Sequence, residues 1–247
     1  MTYALEAALA ELDKAATLHA GINLGNILLV SGSAPNGDPQ GVSPDMAAAL
    51  AQRLGVAVEY CSYASPGEVA DAAARNEWDV ALIAEDPERA EVIDFCDAYV
   101  EIVATYLVPA DSALQGIDDV DRPGVRIAVS ERSAYDLYLS RKLQHAELCR
   151  AAGLTAAFDL FRRERLDALA GLLPALKDNA SELPGSRVLE GSFTSVRQAM
   201  ATRQQKTALN AFVRGFIADA KTSGLISGLI DKHGVSGKLQ VARGQGT

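Results

Sequence analysis

Apolar and polar positions follow two rhythms along this chain. Residues 3–17 put Leu5, Ala8, Leu9 and Leu12 on one helical face and Glu6, Glu11, Asp13 and Lys14 elsewhere, which predicts a surface helix packed on the body. "HAGINLGNILLV" then reads as a strand and loop, and "GVSPDMAAALAQRLGVAVEY" as a helix followed by a strand. In the latter, Ser43 is placed to cap, Pro44 suits the first helical position, and Gly55 can close the helix left-handed before Val56 to Tyr60 extend. Ser65-Pro66-Gly67-Glu68 has the spacing of a capping box and opens a helix to Asn76, after which "WDVALIA" is a buried strand. Asp86-Pro87 follows at once and predicts another helix with Arg89 in its first turn.

From Tyr99 the pattern changes to one long extended segment, "YVEIVATYLVPADSAL". A second alternation begins with the strand "GVRIAV" and a helix from Ser133 to Leu143, then "AELCRA", "TAAFDLFRRER", "LDALAG", "LPALKDN" and "SRVLEG" as strand, helix, strand, helix and strand. "VRQAMATR" is extended again, and helices between Lys206 and His233 complete the chain, His233-Gly234 ending the last one. Strands alternating with capped helices predict α/β architecture with parallel sheets covered on both faces. The two extended crossings predict two lobes joined by two hinge strands: residues 1–108 with 200–247, and residues 109–199.

Composition narrows the function. Hydrophobic residues make up 49% and charged residues 22%, as in an ordinary folded domain, and no apolar run is long enough to span a bilayer, so no membrane insertion is expected. The net charge of -9, without a basic block, argues against nucleic acid as a partner. The N-terminus carries acidic residues where a secretory leader carries basic ones. A periplasmic or extracellular site of action would therefore require a leader trimmed upstream, whereas Met1 as the native start implies the cytoplasm. Cys61, Cys96 and Cys149 are odd in number and lack a paired spacing, so at least one thiol is free, and all three are expected to fill core space. His145 precedes Cys149 by four positions, but two ligands without a third make no metal site, and neither metal nor cofactor is expected.

Arg89 carries the chemistry. Its planar guanidinium suits a bidentate grip on a carboxylate; the plainer reading is an exposed helix residue paired with Glu85 or Asp86. Ser133 can cap the helix that starts at Ala134 and leave free N–H groups facing an anion. Tyr135, in the first turn, can reach the same place, whereas Tyr138 is read as packing, as are Tyr63 and Tyr99 unless one of them walls a cleft.

Taken together, "GVSPDMAAALAQRLGVAVEY", "WDVALIA" with "DPERAEVIDFCDAYV", "YLVPADSAL", "GIDDVDRPGVRIAVSERSAYDLYL" and "RLDALAG" resemble the polar-amino-acid branch of the bacterial extracellular solute-binding proteins. The resemblance spans Leu18 to His233 and implies the type II periplasmic-binding-protein fold, a two-lobe clamp that closes on a small molecule. It implies that Arg89, in Pro87-Glu88-Arg89, pairs with a ligand carboxylate. It likewise implies that Ser130, Glu131, Arg132, Ser133 and Ala134 form the loop giving N–H groups and a hydroxyl to that carboxylate, and that Asn23 and Asn26 belong to the first-strand loop. Gln198, in the return hinge, is a further polar contact, and an ABC permease is the implied partner.

The chain also departs from that pattern. Leu172 stands where amino-acid binders of the family place an aspartate for the ligand ammonium, Asn23 replaces an acid, and Gly67 replaces an aromatic wall. The loop before Pro87 is shorter, and Asp86 stands in place of a hydroxyl residue. A retained arginine without ammonium partners predicts a small anionic ligand that has a carboxylate and no α-ammonium, because an unpaired buried ammonium costs several kcal/mol. Arg132 could add a second guanidinium. The function expected is solute binding. The alternative is a lyase or dehydratase on the same fold, with Glu131, Asp86 or Glu85 as general acid or base; Ala175 and Lys177 stand where the cyclohexadienyl dehydratase of the family has a glutamate and an arginine.

Overall fold

Residues 2–243 are described by the computed structural model, and they divide into two compact units within the two crossing strands. One unit runs up to Glu101 and resumes at Arg197; the other is Ile102–Val196.

In the first unit, α1 (Thr2–Ala10) leads into β1 (Thr17–Asn23), a short β2–β3 hairpin (Gly32–Ser33, Pro39–Gln40), α2 (Val42–Leu54), β4 (Ala57–Tyr63), α3 (Pro66–Ala73), β5 (Val80–Ala84) and β6 (Ile93–Val108). β4, β1 and β5 lie side by side and parallel, with Gly21 opposite both Cys61 and Ala81. All five residues of β5 are buried, as a strand covered on both faces requires. Trp78 is fully buried below it, packs on Val69 and Ala72 of α3, and donates its indole N–H to the Val69 carbonyl at 3.0 Å. Burying each large apolar side chain of this kind stabilises the fold by about 1.5–3 kcal/mol.

The second unit takes the later part of β6 and then β7 (Arg126–Ser130), α4 (Ala134–Lys142), β8 (Glu147–Ala151), α5 (Leu154–Arg163), β9 (Ala168–Leu172), α6 (Leu173–Glu182), β10 (Arg187–Val188) and the start of β11 (Thr194–Arg203). β8, β7 and β9 are parallel, and β6 closes the sheet antiparallel to β9, with Ala104 opposite Leu172. Phe158, Phe161, Leu166, Leu169 and Leu176 fill the core between this sheet and helices α5 and α6. The rest of β11 returns to the first unit antiparallel to β5, followed by α7 (Thr207–Thr222), α8 (Leu225–Lys232) and β12 (Gln240–Val241). His233 and the left-handed Gly234 (φ 66°) end α8 as expected, and Lys232 Nζ and His233 Nε2 both bond Asp45 Oδ2 of α2 at 2.7 Å.

Several expectations need correction. The first helix stops at Ala10 rather than near residue 17, because Asp13 leaves the helical path to donate its amide to Asp79 and Ala16 turns left-handed (φ 61°). Gly41, not Ser43, occupies the N-cap of α2; Ser43 sits inside the helix with its hydroxyl 2.7 Å from that of Tyr99, and Pro44 is the third helical residue. Arg89 opens only a three-residue 3-10 turn, Arg89–Glu91, since the chain is already extended from Ile93. "SRVLEG" gives two strand residues, paired antiparallel to β6. Of the thiols only Cys96 is buried; Cys61 and Cys149 are half-exposed on strands near the sheet edges. Elsewhere the capping box holds: the Ser65 hydroxyl accepts from Glu68 N, while the Glu68 carboxylate reaches Ala64 N.

Two positions test this account. Asp79 is fully buried, and its carboxylate accepts from Asp13 N and His19 N at 2.9 Å and lies 3.1 Å from His19 Nδ1, so it ties the end of the α1 segment to β1. Asp79→Ala should cost about 3 kcal/mol in urea unfolding and speed amide exchange at Asp13. Gly41 has φ 147°, and a Cβ there would lie 2.2 Å from the Leu29 carbonyl oxygen. Gly41→Ala should therefore cost about 2–3 kcal/mol in the same measurement, although it touches no apolar core.

Candidate functional site

In open α/β sheets, ligands are bound at the carboxyl ends of the strands. In the first unit that end carries the loops after β1 and β5, which are adjacent parallel strands. The β1 loop turns on its own side chains: Asn23 Oδ1 accepts from Gly25 N at 3.0 Å, and Asn26 Oδ1 accepts from Leu28 N at 3.2 Å. Asn26 is buried by this task, whereas Leu24 and Ile27 are 41% and 58% exposed. The sequence reading did not single out these two apolar side chains; a pair of large hydrophobics inside an Asn/Gly turn was the signal for them.

Arg89 is only 4% exposed, and its Nη1 donates to the carbonyl of Ala84, the last residue of β5, at 2.7 Å. Asp86, also buried, accepts from Glu88 N at 2.9 Å and so shapes the turn that carries Arg89. The expected pairing partner Glu85 is engaged elsewhere. Its carboxylate bonds Arg197 of β11, whose other arm lies 3.5 Å from Glu101 of β6. Gln198 is buried and registers opposite Ala84, which puts it beside the carbonyl that Arg89 grips. Tyr63 does not join this group, because its hydroxyl donates to Glu77 Oε2 at 2.9 Å, and burial together with that bond raises its pKa.

In the second unit the corresponding end carries the loop from β7 to α4 and the junction of β9 with α6. Ser133 caps α4 by accepting from Asp136 N at 3.1 Å. That leaves the amides of Ala134 and Tyr135 without an acceptor among the described residues. Buried Asp136, which the sequence reading missed, holds the loop from the other side: it accepts from Arg132 N at 2.7 Å and from Arg150 Nε at 3.0 Å. This fixes Arg132 in the left-handed region (φ 55°), a conformation that glycine adopts without cost and an arginine does not. The Ser133-x-x-Asp136 spacing was the readable signal. Glu131 and Arg132 are exposed, Ser130 is buried, and Tyr135 is buried with hydrogen bonds to Ser130 and Ser133, its phenol pushed up to about 12 mainly by desolvation. Leu172 is buried at the end of β9 and occupies the N-cap of α6, with no polar side chain of its own to offer there.

No cluster of metal-binding side chains occurs among the described residues, and none of their helices is long and apolar enough to cross a membrane.

Comparisons with known proteins agree with this architecture. A mutant of ArgBP from T. maritima superposes with a TM-score of 0.74 at 24% identity, covering 91% of this chain and 98% of that one. An ancestral amino acid-binding protein described as a precursor of cyclohexadienyl dehydratase gives 0.73 at 24% identity, covering 88% and 94%. The amino acid ABC transporter substrate-binding protein AbpA from Streptococcus pneumoniae, bound to L-arginine, gives 0.73 at 20% identity, covering 88% and 94%. The fold is thus the two-lobe α/β fold of type II periplasmic binding proteins. No curated protein matches. The family described as bacterial extracellular solute-binding proteins, family 3, matches residues 30–236, and this chain belongs to it.

Proposed function

We propose that this solute-binding protein serves an ABC transporter of the amino-acid type and takes a small carboxylate with an apolar body and no α-ammonium. Within the first unit the candidate partner of the carboxylate is Arg89, and within the second unit it is the pair of free amides of Ala134 and Tyr135. The observation that carries the reading is the start of α4, where a capped helix leaves two amides to an anion while Asp136 holds the loop in place. Leu172 supports the missing ammonium, since a buried leucine at the end of β9 offers an ammonium no acceptor. Leu24 and Ile27 support the apolar body, being large exposed hydrophobics in the loop after β1, the strand beside the β5 that leads to Arg89.

Binding rather than turnover is further supported by the state of the candidate acids. Glu85 is ion-paired with Arg197, and an oxygen of the Asp86 carboxylate accepts from Glu88 N. Of the three candidates, Glu131 is the one whose side chain lies exposed in its loop.

A thermal-shift screen of small carboxylates, each with and without an α-amino group, tests the proposal. The expected result is a saturable rise in melting temperature with a non-amino carboxylate, lost in Arg89→Ala. Tight calorimetric binding of a common amino acid to the wild type would overturn the ligand assignment. Asp136→Ala removes the acceptor of Arg132 N and the partner of Arg150; it should lower affinity at least tenfold and destabilise the second unit by about 2–3 kcal/mol.

A further inference from the structure

The second unit contains a concavity that the proposed function does not use. It measures about 780 Å³ and lies at the end of the sheet where β7 and β9 begin, with Val125 and Asp167 of its wall immediately preceding those strands. The loop from β7 to α4, and Leu172 at the end of β9, are at the opposite end of the same parallel strands, five residues along each. At about 3.3 Å per residue, the two ends are more than 13 Å apart.

The apolar surface of the concavity is offered by Pro109, Ala113, Pro123, Val125 and Leu183, backed by the buried Leu114, Phe161 and Leu166, and three arginines, Arg122, Arg162 and Arg165, stand around it. Its wall is braced, because Arg187 Nη2 donates to the carbonyls of Ser112 (3.3 Å) and Leu114 and holds that segment in place. Charge on the rim is unevenly used. Arg122 is paired with Asp119, and the Asp167 carboxylate accepts from Arg126 N at 2.7 Å. Arg162 lies over the ring of Phe158, 5.3 Å from its centroid, and neither Arg162 nor Arg165 has a carboxylate partner among the described residues. Asp111, also in the lining, is the remaining acid. A chain of net charge -9 thus presents two uncompensated guanidiniums beside an apolar floor.

We propose that this concavity is a second binding site, independent of the first, for a small amphipathic anion: a carboxylate whose aromatic or branched aliphatic body lies on Pro123, Val125 and Leu183 while its head pairs with Arg162 and Arg165. The volume of about 780 Å³ lies within the range of pockets that take one small organic molecule. Arginine rather than lysine on the rim suits a planar carboxylate, and stacking on Phe158 holds the guanidinium of Arg162 ready at little entropic cost.

Calorimetric titration with biphenyl-4-carboxylate, repeated with the neutral biphenyl-4-carboxamide, tests the assignment. Saturable binding of the carboxylate is expected in the wild type, at least tenfold weaker binding of the amide, and at least a tenfold loss of carboxylate affinity in the Arg162→Ala/Arg165→Ala variant. Arg163→Ala should bind as the wild type does, since Arg163 is paired with Glu164 and is not part of the lining. Arg89→Ala should also retain the binding, which separates this site from the one proposed above. Equal affinity for the amide, full affinity in the double variant, loss of binding in Arg89→Ala, or no saturation up to millimolar ligand would each overturn the proposal. Because both exposed arginines lie outside the core, circular dichroism of the double variant should match the wild type; an unfolded spectrum would show that the rim supports the fold rather than a ligand.

Discussion

A buried parallel strand must end, and where it ends its last carbonyl and the next amides of the chain have left the ladder and still need partners. The rest of this protein follows from how that constraint is met. After β5, Arg89 folds back onto the Ala84 carbonyl and Asp86 takes the Glu88 amide. After β1, Asn23 and Asn26 each accept an amide two residues on. After β7, Ser133 and Asp136 divide the amides of the turn between them. Polar side chains gather at the carboxyl ends of the strands first because the backbone needs them there, and a binding site is what remains when some donors are left over.

Arg89 has an observed structural role beside the binding role proposed for it. Its guanidinium carries five donors, so one arm can terminate a strand without exhausting the group. At 4% exposed, the buried guanidinium needs hydrogen-bond partners, and the Ala84 carbonyl is one of them. The α4 turn applies the same economy with neutral groups: the cap satisfies Asp136 N, and two amides remain. Leu172 breaks the pattern. At the equivalent end of β9 the chain turns directly into α6 with a buried hydrocarbon and no polar cap, so no negative charge is supplied at that place.

The arginine triad on the crossing strands has a different character. Arg197 bonds Glu85 and approaches Glu101, while its Nη2 is buried without a partner among the described residues. Two carboxylates and one guanidinium thus share this place with one donor of Arg197 left over, and the Glu85 carboxylate is held by Arg197 rather than by Arg89.

Alternation of capped helices with apolar strands made the α/β class legible from the sequence, because periodicity is a local property, and the strands β4, β5, β7, β8 and β9 lie close to where the pattern put them. The capping signals at Ser65 and Ser133 were legible for the same reason, since a cap reads only three residues ahead. Where tertiary partners competed, local rules failed. Ser43 had the right residue type for a cap but went to Tyr99, 56 positions away, and Gly41 took the cap because only glycine clears the Leu29 carbonyl. The helix expected at Pro87 was cut to one turn by an extended strand beginning at Ile93. The proposal of Arg89, Leu172 and the α4 turn as chemistry-bearing positions comes from the sequence by itself. Which donors were already spent was decided only in three dimensions, because hydrogen-bond and ion-pair partners such as Ala84, Arg197 and Arg150 are chosen by proximity in space, which no local pattern encodes.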